Sequence, residues 1–240
     1  ERNETVSIPL TLSEDGEYLV RASVSDFSGN VFTTDSQTFK IDETAPGAPV
    51  ITTLTDHYNN GWYNTNVLSE ICTITGGQQD GGSPVHLEYK IDNDSYTTTA
   101  PTQLPEGTHT LFVKAVDAAG HESETSKTFM IDNSVPKVPE VTVSGYFDND
   151  NNIYWTSQTS LADIVTITLA AQDDGSPITT YYGLGEDNIP YNGGITTYTN
   201  LTDGRKYDFH TYAKDAAGNE SDSKKSIIGI DTEIPATPTV

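Results

Sequence analysis

Residues 111–136 read LFVKAVDAAGHESETSKTFMIDNSVP, and the same phrase stands at 20–46 as VRASVSDFSGNVFTTDSQTFKIDETAP and at 211–235 as TYAKDAAGNESDSKKSIIGIDTEIP. Each copy is a strand-like run ending in Asp-x-x-Gly, a second run ending in Ile-Asp, and a proline-rich step. The aspartates that open the turns, Asp26, Asp117 and Asp215, are spaced by 91 and 98 residues. Those that close the copies, Asp42, Asp132 and Asp231, are spaced by 90 and 99. A period of that length is one small domain, so the chain reads as a tandem array.

Period-two alternation fixes the class. In the third copy Val165, Ile167, Leu169 and Ala171 alternate with Thr166, Thr168 and Ala170, and Tyr207, Phe209, Thr211 and Ala213 alternate with Asp208, His210 and Tyr212. Such runs are half-buried strands, and Gly, Asn and Asp cluster between them. No stretch carries a sustained helical period, so the chain is expected to be all-β. In the third copy strands are placed near 139–145, 153–157, 161–171, 177–184, 194–200, 206–214 and 224–231, with a loop-rich 185–193. Seven short strands at that spacing suit tandem immunoglobulin-like β-sandwich domains, strung like beads, better than a closed barrel. Tyr18 and Tyr207 each follow a leucine (Leu12, Leu201) by six residues and precede the turn aspartate by eight. This is the spacing of a tyrosine corner, in which the hydroxyl bonds back to the preceding turn. The second copy has His109 there, which can still donate to backbone.

The phasing gives the C-terminal half of one sandwich over 1–44, complete domains over 45–133 and 134–232, and a linker into a next repeat over 233–240. The chain is therefore expected to be an excerpt of a longer polypeptide. The formal charge of −23 argues against nucleic acid, whose binding needs clustered Lys and Arg, and against anionic membrane surfaces. No apolar run reaches the ~20 residues of a membrane span. Cys72 is the only cysteine, which leaves no intramolecular disulfide and no thiolate metal site. Residues 62–84 align with 155–177 without gaps, and Cys72 falls on Val165, a small apolar core position.

GWYNTN at 61–66, EGTHTLFVKAVDAAGHES at 106–123 and FMIDNSVP at 129–136 resemble bacterial immunoglobulin-like repeats of secreted and cell-surface proteins. DGGSPVHLEY, DDGSPITTYY and LTDGRKYDFHTYAKDAAGNES also resemble fibronectin type III domains. The resemblance implies the sandwich fold over nearly the whole chain, but such modules serve adhesins, surface layers and multidomain hydrolases alike.

The aspartates carry the candidate chemistry. In such a sandwich the turn that holds Asp117 or Asp215 lies at the opposite pole from the Ile-Asp end. Head-to-tail stacking would then bring Asp42, with Glu43, toward Asp80 and Asp117, and Asp132 toward Asp173, Asp174 and Asp215. Asp26 and Asp231 would be half-sites awaiting neighbours. Converging carboxylates without Lys or Arg repel unless a cation intervenes, and calcium suits oxygen-only sites on loops. On that reading Asp42, Asp80, Asp117, Asp132, Asp173, Asp174, Asp215 and Asp231 hold interdomain calcium. On the alternative, Asp117 and Asp215 only bond turn amides, while Asp132 and Asp231 cap a strand. Asp148, Asp150 and Asn152 begin like a calcium loop, yet Ile153 and Thr159 replace its glycine and bidentate glutamate, which makes a solvated loop.

Trp62 and Trp155 occupy equivalent positions, which favours packing over sugar stacking. Tyr181, Tyr182, Tyr191 and Tyr198 are likewise read as cross-strand packing, with a glycan platform as the alternative. The five histidines fall at non-equivalent positions without zinc spacing, and no nucleophile elbow or phosphate loop is present. The expected role is a non-catalytic stalk or surface-lattice segment of a large bacterial extracellular protein. Its partners would be further repeats of the same polypeptide and neighbouring copies in a surface assembly. The alternatives are a spacer or carbohydrate-binding region of a secreted polysaccharide-degrading enzyme, and a filament subunit completed by strand donation.

Overall fold

The computed structural model describes residues 7–77, 83–168 and 175–238. It is nearly all β, with 46% strand and 4% helix. The chain forms two compact units, one of Glu1–Thr53, Cys72–Thr102 and His109–Thr128, the other of Leu54–Ile71, Gln103–Thr108 and Phe129–Val240.

In the first unit Gly16–Val20 pairs antiparallel with Gln37–Ile41, setting Tyr18 opposite Phe39, and Ser23–Ser25 pairs with Val31–Thr33. Val50–Thr53 pairs with Cys72–Thr75, and Val85–Ile91 with the strand Gly107–Asp117. Along that last strand Leu111, Val113, Ala115 and Asp117 are buried and their neighbours are not. Alternation thus carries an aspartate to an inward position at the strand's end. The early copy has the same alternation with a different environment. Val24 is 65% exposed and Phe39 49%, whereas their counterparts Ala115 and Phe129 are 0% and 2%.

In the second unit the hairpin Tyr58–Asn59 and Trp62–Tyr63 turns through Asn60 and Gly61, both at positive φ. Tyr63 then pairs in parallel with Ile131 of the strand Glu122–Ile131. From residue 134 onward two sheets face each other. Glu140–Val143 pairs with Val165–Thr168 in one, and the other has the order Tyr146–Asp148, Ile153–Thr156, Lys224–Ile230, Lys206–Asp215, Ile178–Leu184, Ile189–Pro190. The parallel contact of Ile153–Thr156 with Lys224–Ile230 and the antiparallel remainder give an immunoglobulin-like sandwich. Its core is Leu161, Ile164, Val165, Ile167, Tyr182, Ile195, Leu201, Phe209, Ile228 and Ile230.

Two sequence expectations are corrected. The strand placed at 161–171 begins instead as a helical turn, Leu161–Ile164, and becomes strand at Val165–Thr168, with residues 169–171 outside the described set. Leu68–Ile71 makes the same turn before Cys72–Thr75. In each, Leu and Ile three apart both point into the core, a spacing that a helical turn satisfies and a strand does not. The strand placed at 194–200 is irregular. Tyr198 and Asn200 take φ of 61° and 62°, left-handed values that break a strand, although Ile195 and Leu201 still reach the core.

Smaller expectations stand. Tyr18 Oη donates to the Glu14 carbonyl at 2.8 Å, and Tyr207 Oη accepts the Thr202 N–H at 2.8 Å, so both hydroxyls bond to the preceding turn. His109 Nδ1 lies 2.7 Å from Asp92 Oδ2. Cys72 is buried beside its neighbours like Val165, and burial pushes its thiol up to about 11, an inert packing residue.

Because Leu161 and Ile164 are fully enclosed, Leu161→Ala should cost roughly 2–5 kcal/mol through the cavity it leaves. Chemical denaturation followed by tryptophan emission checks this, and a loss below 1 kcal/mol would remove the helical turn from the core.

Candidate functional site: the aspartate clasps

Each turn aspartate first serves its own turn. Asp26 Oδ1 accepts the N–H groups of Ser28 and Asn30, at 2.8 and 2.9 Å. Asp117 Oδ1 accepts those of Gly120 and His121, at 2.7 and 2.9 Å. Asp215 Oδ1 accepts those of Gly218 and Asn219, at 2.7 and 2.8 Å. The second oxygen meets the side chain four residues on: Asn30 Nδ2 at 2.7 Å, His121 Nδ1 at 3.1 Å and Asn219 Nδ2 at 2.8 Å. A carboxylate that lost water by burial thus regains it as N–H donors. Gly120 and Gly218 sit at φ of 99°, the left-handed value this turn needs.

The closing aspartates share a different arrangement. Asp42, Asp132 and Asp231 each accept, through Oδ1, the N–H of the residue two further on (Thr44, Ser134, Glu233), at 3.1–3.3 Å. A second acid ties the same corner. Asp15, Glu106 and Asp203, just ahead of the tyrosine or histidine strand, accept the N–H of Glu43, Asn133 and Thr232 at 2.7, 3.1 and 2.6 Å. Sequence reasoning missed this trio, because the spacing to the following strand varies and one member is a glutamate.

The step after the second copy is closed by hydrogen bonds. Asp132 is fully buried. Its Oδ2 accepts the Ser176 N–H at 2.7 Å, its Oδ1 accepts the Ser134 hydroxyl at 2.9 Å, and its carbonyl accepts Asn219 Nδ2 at 2.9 Å. Ser176 Oγ in turn accepts the Ala217 N–H at 3.1 Å. A Cβ on Gly175 would stand 2.4 Å from Asp132 Cγ, so only glycine lets the carboxylate approach. Asn60 Nδ2 adds a bond to the Ala216 carbonyl at 3.3 Å. Asn219 therefore joins the Asp132 carbonyl to the Asp215 carboxylate.

At the step after the first copy the same elements meet differently. Asp42, Asp117 and His121 each present a ligand atom within 4.8 Å of the others. Among the described residues Asp42 Oδ2 and Ser83 Oγ, counterparts of Asp132 Oδ2 and Ser176 Oγ, are buried without a hydrogen-bond partner. They border a cleft of about 680 Å³ whose lining includes Glu43, Pro84, Ala118 and Ala119. All of these residues belong to the first unit.

Of the aspartates singled out in sequence, the structure brings Asp42 to Asp117 and links Asp132 to Asp215 through Asn219. Asp80, Asp173 and Asp174 lie outside the described residues. Asp231 is exposed, and Asp26 serves its own turn. His121 entered neither as a ligand nor as a partner in the sequence reading. The signal was its place four residues after the turn aspartate, where the other copies carry asparagine. In the hairpin at 148–153 the Asp148 carboxylate is taken up by Asp150 and Asn151 N–H groups and the Asn151 side chain. Tyr182 is core, with Tyr191 edge-on against it, and Tyr181 stacks on its cross-strand partner Tyr212.

The two buried turn aspartates titrate in opposite senses. Burial raises the Asp117 carboxyl, but N–H donors from His121 and Gly120 and the His121 ring outweigh it and leave it below the ordinary 3.8. Burial dominates at Asp215 and, with the Asp132 carboxylate nearby, holds it above 3.8. Asp117 thus contributes stability present above 3.8 and lost as pH falls through its depressed value. Asp215 contributes stability present below 3.8 and lost as pH rises through its raised value. Carboxyl carbon NMR titration should place the two midpoints on opposite sides of 3.8. Separately, Asp132→Ala should cost roughly 1–3 kcal/mol, since it strands the Ser176 N–H, and Gly175→Ala should destabilise the same step by steric overlap. Thermal melts of both variants against Asp231→Ala, which should lie within about 0.5 kcal/mol of the parent, check this ranking.

Among the described residues no helix is long and apolar enough to cross a membrane. Among curated protein sequences none matches the chain. Solved structures similar to it include the Clostridium thermocellum CbhA fibronectin(III)-like modules, with 16% identity over 80% of this chain and 100% of that one, at a TM-score of 0.33. A structure from a 1.5-MDa bacterial ice-binding adhesin shares 17% identity over 92% of this chain and 76% of that one, at a TM-score of 0.33. A third, Bacteroides ovatus SGBP-B of the mixed-linkage glucan utilization locus in complex with a heptasaccharide, shares 13% identity over 90% of this chain, at a TM-score of 0.22, and this chain spans 48% of its length. Two family models, each described as a bacterial Ig-like domain, match residues 54–133 and residues 2–43. Over residues 2–43 and 54–133, then, this chain belongs to the bacterial Ig-like domains.

Proposed function

We propose that the chain is a non-catalytic structural segment of a large bacterial extracellular protein, of the stalk or surface-lattice type. Its partners are further repeats of the same polypeptide and neighbouring copies in a surface assembly. The observation that carries this reading is the repeated use of a closing aspartate against the turn region of the following copy: Asp42 beside Asp117 and His121, and Asp132 on Ser176 and Asn219. A side chain committed to fixing the next module's position is what a load-bearing rod requires and what a lone binding domain does not.

Calcium belongs to this reading at the first step only. Asp42 and Asp117 offer carboxylate oxygens, and among the described residues Asp42 Oδ2 is buried without a hydrogen-bond partner, which fits a divalent cation. At the second step Asp132 already carries N–H and O–H donors on both oxygens, so an ion there would have to displace donors from the closing aspartate as well as from the turn aspartate. Pro46, Pro49, Pro136 and Pro139 stiffen the connecting segments by fixing φ.

Melting temperature and small-angle scattering with calcium and with a chelator test the proposal. Calcium about 100-fold above its Kd should add about 2.7 kcal/mol to the unit that binds it, and Asp42→Asn should abolish the gain. Unchanged melting and unchanged scattering would remove calcium from the reading. Specific glycan binding by the segment would replace the structural role itself.

A further inference from the structure

We infer that His121 turns the Asp42–Asp117 pair into a mixed nitrogen–oxygen site for a borderline divalent cation of the zinc class, in preference to calcium. The inference rests on reading that pair as a cation clip. Its starting point is one repeat position, four residues after the turn aspartate, occupied by Asn30, His121 and Asn219.

Where that position is asparagine and faces the closing aspartate of the preceding copy, at Asn219, the acceptors are met by donors. Asn219 Nδ2 serves both the Asp132 carbonyl and Asp215 Oδ2, and Asp132 Oδ2 receives the Ser176 N–H. The side-chain nitrogen of asparagine is only a donor, so it cannot join a metal's coordination shell. A neutral imidazole carries a lone pair and can. At the first step, among the described residues, the counterpart of Asp132 Oδ2 in Asp42 and that of Ser176 Oγ in Ser83 are buried without a hydrogen-bond partner. The asparagine-to-histidine exchange thus coincides with the opening of the clasp and with the appearance of a third ligand atom.

The distances favour a small ion. Zinc bonds to imidazole nitrogen and carboxylate oxygen at about 2.0–2.2 Å, which sets neighbouring tetrahedral ligands roughly 3.3 Å apart. His121 Nδ1 and Asp117 Oδ2 are already 3.1 Å apart, a hydrogen bond that gives way when the neutral ring carries its proton on Nε2 and frees the Nδ1 lone pair, and Asp42 places a ligand atom within 4.8 Å of both partners. About 1.5 Å of closure brings all three to tetrahedral spacing. The His121 side chain is 36% exposed, which leaves an approach for the ion and a water at the fourth position. Calcium would need six to eight oxygens and gain nothing from the imidazole.

The chelator-stripped chain should be titrated with zinc, calcium and cobalt(II), by calorimetry for the first two and visible absorption for cobalt. We expect zinc to bind more tightly than calcium and cobalt to give the intense d–d bands of a tetrahedral site. His121→Asn installs the residue that the fold carries at 30 and 219, and circular dichroism should confirm that it folds. It should weaken zinc at least about 10-fold, erase the cobalt bands and leave calcium unchanged, while Asp42→Asn should weaken both ions. Zinc affinity that survives His121→Asn, or calcium binding more tightly than zinc with dependence on Asp42, overturns the zinc assignment and leaves the clip standing. Loss of neither ion in Asp42→Asn overturns the clip and the assignment together.

Discussion

A carboxylate withdrawn from water loses several kcal/mol of hydration unless donors replace it, and among the described residues Asp117, Asp132 and Asp215 are withdrawn almost completely. Asp117 and Asp215 are carried inward by strand alternation, each continuing an inward row of core residues by one step. Asp132 is wholly enclosed by the chain that follows it. Each solves its problem with backbone N–H groups of a tight turn, and those turns take one shape because the carboxylate dictates it. The glycine at positive φ, the side chain four residues on and the glycine facing Asp132 all follow from that need. The hydrophobic core fixes the sandwiches, and the buried carboxylates fix their ends.

Features with a period were legible in the sequence. Alternation over 206–214 and 224–231 marks strands whose observed bounds are Lys206–Asp215 and Lys224–Ile230. The recurring phrase placed Asp42 near Asp117 before any coordinates, because strand parity and head-to-tail order suffice for that. What was not legible has no period or lies in one side chain. Four residues such as LADI are too short to show a helical repeat, and their Leu and Ile point to one face only once both are known to be buried. The irregular path at 194–200 depends on left-handed Tyr198 and Asn200, residues that do not announce that geometry as glycine does. His121 was hidden by asking whether histidines recur, when the informative question was what replaces asparagine.

Two steps built from one phrase reach different chemistry through few substitutions. The second is a hydrogen-bonded clasp in which Asn219 and Ser176 hold Asp132. The first keeps the serine and the closing aspartate, exchanges the asparagine for histidine, and leaves two buried oxygens unpaired. Successive joints can therefore differ in character while the strand-and-turn phrase that carries them is kept.

The acid ahead of each tyrosine or histidine strand has a consequence for how one copy leads into the next. Asp15, Glu106 and Asp203 seize the first amide beyond Ile-Asp, so each copy anchors its own departing backbone within itself. The bond that holds the departing backbone uses no residue of the copy that follows, so the start of each connecting segment is tethered by the copy it leaves.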